Sequence, residues 1–244
     1  MPKLDDHSAS GRAPYPIVDA HRLVGPVPFD DLLVDPRPEM DRLGIERAYV
    51  THTLSLYSEV MAGNEALFAL RDPRLVPVPV VLPGVPGAGA PGTPEEVLEW
   101  GVRMVRLCPE RHRFDLTGPV ALRWLAELCL PVAIDLEETS PGQLLSLAGR
   151  LPEQRVLLLN PGYRRLRAIA ELMAEAPNVW LEMGTVNTQR AVEWLAERYG
   201  AERLVFGTGA PVLDDCGPRF LLDHLELEPG EVALIASGSL EAML

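Results

Sequence analysis

Short apolar runs recur along this chain at near-even intervals, and most are followed by a segment with helical periodicity. Eight runs can be read, at 17–20, 47–51, 75–82, 104–107, 132–136, 156–159, 179–182 and 204–206. The segments between them, at 38–43, 59–70, 94–100, 120–128, 141–151, 164–176 and 188–199, are amphipathic. Parallel strands need a crossover to bring the chain back to the same end, and a strand covered on both faces is apolar throughout. Eight strand–helix units in 244 residues fit a closed (β/α)8 barrel, whose usual size is about 250 residues. A doubly wound open sheet is the other arrangement such alternation allows, but no glycine-rich dinucleotide turn follows the first run.

Boundary residues support the division. Gly44 and Gly200 stand where helices stop, and Pro94-Glu95-Glu96 and Pro141 stand where they start, since a first turn tolerates proline and favours negative charge. Residues 218–244 read as short helices with Pro229-Gly230 between them, placed to close the barrel. The Gly/Pro segment 83–94 reads as a loop over one barrel mouth, residues 1–14 as a loosely attached polar tail, and residues 15–244 as one barrel domain.

The net charge of −13 argues against nucleic acid or an anionic membrane as partner, because phosphate contacts need clustered cations. No run of about 18 apolar residues is present, so no membrane span is expected. The three cysteines, Cys108, Cys129 and Cys216, are odd in number and lack CxxC spacing, which fits a reducing cytoplasm.

In a barrel, strand carboxyl ends converge on one mouth whatever their separation in sequence. That places His21, His52, Arg106, Asp135, Glu137, Asn160, Glu182 and Thr208 there. Arg106 and Asp135 read either as an anion clamp with its acid partner or as a barrel-end salt bridge. Glu182 adds a second carboxylate, and paired carboxylates can divide acid and base roles. His21 reads as a general acid or base, or as a packed, hydrogen-bonded histidine. His52, in Thr51-His52-Thr53, reads best as a loop surface position. By strand alternation Asp135 and Glu137 share a face. Arg111-His112-Arg113, just past the fourth run, is either an anion collector or a solvated loop.

With these residues in view, the chain resembles the metal-dependent amidohydrolases related to aminocarboxymuconate-semialdehyde decarboxylase, a TIM-barrel family, from about Ile17 to Leu244. The resemblance rests on Asp19-Ala20-His21-Arg22-Leu23, Gly44-Ile45-Glu46-Arg47-Ala48, Pro73-Arg74-Leu75-Val76-Pro77-Val78, Gly101-Val102-Arg103, Leu130-Pro131-Val132 and Glu202-Arg203-Leu204-Val205-Phe206-Gly207, in this order and spacing. The family pattern implies metal ligands at two histidines of strand one, at the ends of strands five and six, and at an aspartate after strand eight. At those positions this chain has His21, Leu23, Asp135, Asn160 and Gly209. Two of the five carry no donor atom, whereas a zinc site needs about three protein ligands.

The expectation is therefore a divergent branch with a degenerate metal site and no cofactor: a non-catalytic ligand-binding or partner subunit. It would form a homo-oligomer, or a hetero-oligomer with an amidohydrolase homologue, and would bind a small carboxylated ligand. The alternative is a hydrolase, decarboxylase or lyase acting without metal, or with an atypical one, on a small carboxylated substrate. Its catalytic residues would be His21, Arg106, Asp135 and Glu182, and His52, Glu137, Asn160 and Thr208 would bind substrate.

Overall fold

The computed structural model describes residues 14–28, 35–84 and 93–244. Eight parallel strands form its centre: β1 (Val18–Val24), β2 (Arg47–His52), β3 (Leu75–Pro77), β4 (Val105–Leu107), β5 (Val132–Asp135), β6 (Val156–Leu159), β7 (Val179–Glu182) and β8 (Leu204–Val205). They pair in chain order as β1-β2-β3 and β4-β5-β6-β7-β8. A few backbone hydrogen bonds close each of the two seams. At β3/β4 the Arg106 amide donates to Pro79 O at 2.8 Å and Val81 N to Arg106 O at 3.0 Å. At β8/β1 Ala20 N donates to Phe206 O at 3.0 Å, Leu23 N to Ala210 O at 2.9 Å, and Gly209 N to His21 O at 2.8 Å. The ring is complete, and the expected (β/α)8 barrel is the fold.

β3 is shorter than the run at 75–82 implied. Pro77 and Pro79 have no N–H to offer a ladder, so pairing lapses after Pro77 and returns only as a bridge between Val80 and Arg106. Helices fall where the periodicity placed them: Arg37–Leu43, Val60–Ala69, Pro94–Leu98, Pro119–Leu128, Pro141–Arg150, Leu166–Glu175 and Ala191–Tyr199. Gly44 ends the first of these at φ 67°, a left-handed conformation that glycine adopts without a Cβ penalty.

The strands sort their side chains between two cores. In β5 and β6, Val132, Ile134, Val156 and Leu158 pack outward against the helices. Ala133, Leu157 and Leu159 fill the interior with Val18, Ala20, Tyr49 and Met104. Full burial of each large aliphatic side chain contributes about 2 kcal/mol.

Pro229-Gly230 does not separate two helices, as expected from sequence. It opens one, capped by Glu228, and segments Pro229–Ala233, Leu234–Gly238 and Ser239–Met243 follow without a break. Proline at the first turn forfeits only an N–H that had no partner there. The last segment seals the barrel floor: Leu240 and Met243 join the interior core, and Glu241 pairs with Arg47 and Arg103 at 2.7 and 3.1 Å. Those arginines stand at or before strand starts, so the open mouth is at the carboxyl ends. The tail at 1–13 and most of the loop read at 83–94 lie outside the described residues.

Candidate functional site

A register irregularity between Asp19 and Arg22 interrupts the alternation of β1. Val18 and Ala20 enter the interior core, whereas His21 and Leu23 line a cleft of about 370 Å³ at the barrel mouth. Arg106, Asp135, Glu137 and Asn160 line the same cleft. Five strand ends thus place their polar groups in a closed circuit.

The circuit runs through His21. Arg106 Nη1 lies 3.1 Å from His21 Nε2. A guanidinium only donates, so Nε2 is the acceptor and the imidazole proton sits on Nδ1. Nδ1 faces Glu182 Oε2 at 3.7 Å, beyond hydrogen-bond reach. Glu182, fully buried, accepts from Asn160 N at 2.9 Å and Gly184 N at 2.6 Å. The Asn160 side chain donates to Asp135 Oδ2 at 2.5 Å, and Asp135 lies 3.8 Å from Arg106 Nη2.

Burial dominates the electrostatics. It lowers the His21 pKa, helped by the neighbouring Arg106 charge, to about 3. It raises Glu182 to about 7, against the pull of the Asn160 and Gly184 amides. At neutral pH the imidazole is uncharged and its contact with Glu182 is not an ion pair.

Beneath this circuit Asp19, wholly buried, ties β1 to β8. Its carboxylate accepts from His21 N at 3.0 Å, Thr208 N at 3.1 Å and Thr208 Oγ1 at 2.7 Å, with Arg22 Nη1 at 3.4 Å. Burial raises its pKa, and the Arg22 charge and these hydrogen bonds lower it. Sequence reading passed over Asp19 as a site residue, although its place two residues before His21 was the available signal.

Of the residues expected at the mouth, His21, Arg106, Asp135, Glu137 and Asn160 meet in the cleft. Glu182 stands behind His21. Thr208 is buried and committed to Asp19 and to Ala210 N, the latter at 3.2 Å. His52 is not a surface loop residue: it ends β2, is 7% exposed, and accepts Leu54 N at 3.2 Å through Nδ1 to cap the helix Thr53–Tyr57. Gly25, at φ 93°, leaves room for its ring, which a Cβ would approach within 2.5 Å.

Strand alternation does not relate Asp135 to Glu137, because β5 ends at Asp135 and the chain turns into a single helical turn, Leu136–Glu138. Glu137 reaches the cleft through that turn and is exposed there. The turn also buries Glu138, which grips Arg111 at N (2.8 Å) and Nε (2.9 Å) while the guanidinium lies 4.9 Å over the Tyr57 ring. Arg111 is therefore a cleft residue held by Glu138, with its side chain still 38% exposed. Tyr57 and Glu138 were not anticipated.

The donor set does not suit a catalytic metal of the kind the resemblance implies. The lone pair of His21 Nε2 faces a guanidinium, and Leu23 supplies only hydrocarbon. Gly209 has φ 69°, and a Cβ there would come within 2.8 Å of Leu213 Cδ1, so an aspartate does not fit without rearrangement. Among the described residues, the one trio whose ligand atoms lie within 4.8 Å of one another is Asp214, Asp215 and Cys216, which includes neither His21 nor Asp135. That trio borders a second cleft of about 380 Å³, lined by Arg22, Arg42 and Asp215 among others. Leu23 and Leu213 line both clefts and stand between them.

A family model described as Amidohydrolase matches residues 9–238. No curated protein matches the sequence. Among solved structures, 5-carboxyvanillate decarboxylase from Novosphingobium aromaticivorans, complexed with manganese and 4-hydroxy-3-methoxy-5-nitrobenzoic acid, superposes with TM-score 0.74 at 13% identity, covering 96% of this chain and 97% of that one. An uncharacterised TIM-barrel protein from Bordetella bronchiseptica gives 0.70 at 17%, covering 93% and 97%. 4-Oxalomesaconate hydratase from Rhodopseudomonas palustris gives 0.69 at 14%, covering 93% and 95%. At such identities these likenesses carry the fold alone. No helix among the described residues is long and apolar enough to cross a membrane.

Proposed function

The chain belongs to the amidohydrolase family, and we propose that within it the protein binds a small carboxylate at the barrel mouth without a catalytic metal, as a ligand-binding or partner subunit. The observation that carries this reading is the 3.1 Å contact between Arg106 Nη1 and His21 Nε2. It occupies the one imidazole lone pair available to a metal or a proton, and it puts a fixed cation at the base of the cleft. Arg106 is 6% exposed and its Nε has no hydrogen-bond partner among the described residues. A buried donor without an acceptor costs about 1–3 kcal/mol, so a carboxylate arriving there gains more than it would at a satisfied site.

Titration calorimetry with acetate, benzoate and succinate, alongside metal analysis of the purified protein, tests the reading. Saturable binding that Arg106→Met weakens at least about tenfold is expected. A stoichiometric transition metal, or carboxylate binding indifferent to that substitution, refutes it. Light scattering tests the subunit role, for which self-association or a complex with an amidohydrolase homologue is expected.

A second reading has its own support. His21 and Glu182 are 3.7 Å apart with pKa values pushed in opposite directions, the arrangement by which paired groups divide acid and base work. The protein would then be a metal-independent decarboxylase, hydratase or other lyase. Its fold neighbours include a decarboxylase and a hydratase. Arg106 would hold the substrate carboxylate, Asp135 would face its body, and Glu182 would orient His21. Turnover of any small hydroxylated carboxylate, lost in Glu182→Gln, would favour this reading over simple binding.

A further inference from the structure

The charges around the cleft do not suit a ligand that is only an anion. Arg106 and Arg111 face Asp135, Glu137 and Glu138. Arg111 is neutralised by Glu138, which takes its backbone and side-chain N–H groups. Arg106 stands 3.8 Å from Asp135, and the His21 imidazole, whose Nε2 accepts from the Arg106 guanidinium, is the neutral form. The charge left over is that of Glu137, which is exposed and whose carboxylate has no partner among the described residues. A dicarboxylate entering here meets one cation with spare donors and an uncompensated negative wall, in a protein whose net charge is already −13.

The spare capacities are nevertheless specific. On the strand-four side Arg106, more than nine-tenths buried, has an unpartnered Nε. On the strand-five side Glu137 and Asp135 offer carboxylate oxygens. Leu23, Leu56 and Val212 contribute apolar surface to the same cleft.

We propose that the ligand is a zwitterion, a small molecule whose carboxylate meets Arg106 and whose protonated amine meets Glu137 and Asp135 across a short apolar body. This rests on the carboxylate reading above and narrows it to aminocarboxylates. Such a ligand matches both ends of the cleft and adds no net charge to it. An uncharged amide or alcohol leaves Glu137 unanswered, and a plain carboxylate leaves it repelled.

The test is titration calorimetry on the full chain with 4-aminobutyrate, butyrate and succinate, repeated with the homologous five- and six-carbon sets. In the wild type the aminocarboxylate binds about fivefold or more tightly than the matched monocarboxylate, with the dicarboxylate weakest. Glu137→Gln, at an exposed position, leaves Asp135 alone to face the amine and narrows the gap between the first two. Arg106→Met weakens both. Monocarboxylate or dicarboxylate binding as tight as the aminocarboxylate, or a preference undiminished by Glu137→Gln, overturns the zwitterion while leaving the carboxylate reading intact. Silence from every compound in all three sets overturns both.

Discussion

Glu182 and His21 are buried neighbours with opposed pKa shifts, which makes the pH dependence of stability a sharp test of the circuit. Glu182 moves from 4.5 to about 7 on folding, so the folded state takes up its proton first. Its contribution is full below pH 4.5 and is lost as pH rises through 7. His21 moves from 6.5 to about 3, so the unfolded state takes up its proton first. Its contribution is full above pH 6.5 and is lost as pH falls toward 3. Between pH 7 and pH 5 each group accounts for nearly one proton over roughly one and a half units. At about 1.4 kcal/mol per unit that is about 2 kcal/mol each, with opposite signs. The pair cancels, and the wild type carries almost no net slope from it.

E182Q removes one arm. Burial, Arg106, Asp135 and Asp19 govern the His21 shift, so it persists in the variant. E182Q should therefore lose about 2 kcal/mol relative to wild type on going from pH 7 to pH 5. In a chain of this size the gap in Tm widens by roughly 4–8 °C. The assay is calorimetric or circular-dichroism melting across that window, read as the difference between the two proteins. All other carboxylates are common to both, and any uniform cost of the amide drops out of the slope. Parallel Tm–pH curves for wild type and E182Q would refute the reasoning, as would a gap that narrows toward pH 5.

Three further outcomes are expected. Asp19→Ala strands the His21 and Thr208 amides at the β8/β1 seam and costs at least about 3 kcal/mol by urea unfolding, with Asp19→Asn recovering part of it. Gly209→Asp costs about 2 kcal/mol, from its positive φ and the collision with Leu213, and confers no zinc uptake by metal analysis. Thiol titration of the native protein at pH 8 finds Cys129 and Cys216, which are exposed, while Cys108, buried with its thiol pushed up to about 11, reacts only after unfolding.

All eight strands were legible because parallel strands buried on both faces leave unbroken apolar runs, and those runs survive translation into structure within two residues except at β1, which runs on to Val24, and at β3, cut short by Pro77 and Pro79. The polar residues ending them were legible for the same reason: a barrel brings strand ends together whatever lies between. What was not legible lies in backbone departures from the regular period. The irregularity in β1 decides that His21 meets Arg106, 85 residues on. The turn Leu136–Glu138 carries Glu137 into the cleft and buries Glu138 under Arg111. Strand alternation mispredicts that stretch because the strand has already ended. His52 escaped because a capping histidine and a surface histidine have the same one-letter neighbourhood.

The shared wall of the two clefts has a consequence for what the mouth can admit. Among the described residues Leu23, 3% exposed, and Leu213 are what the clefts have in common, so the partition there is about one side chain thick. Shortening Leu23 would thin the wall between chambers of about 370 and 380 Å³, with Arg106 on one side and Arg22 and Arg42 on the other. If the mouth binds ligand as proposed, Leu23 and Leu213 together bound the length of molecule that fits beside Arg106.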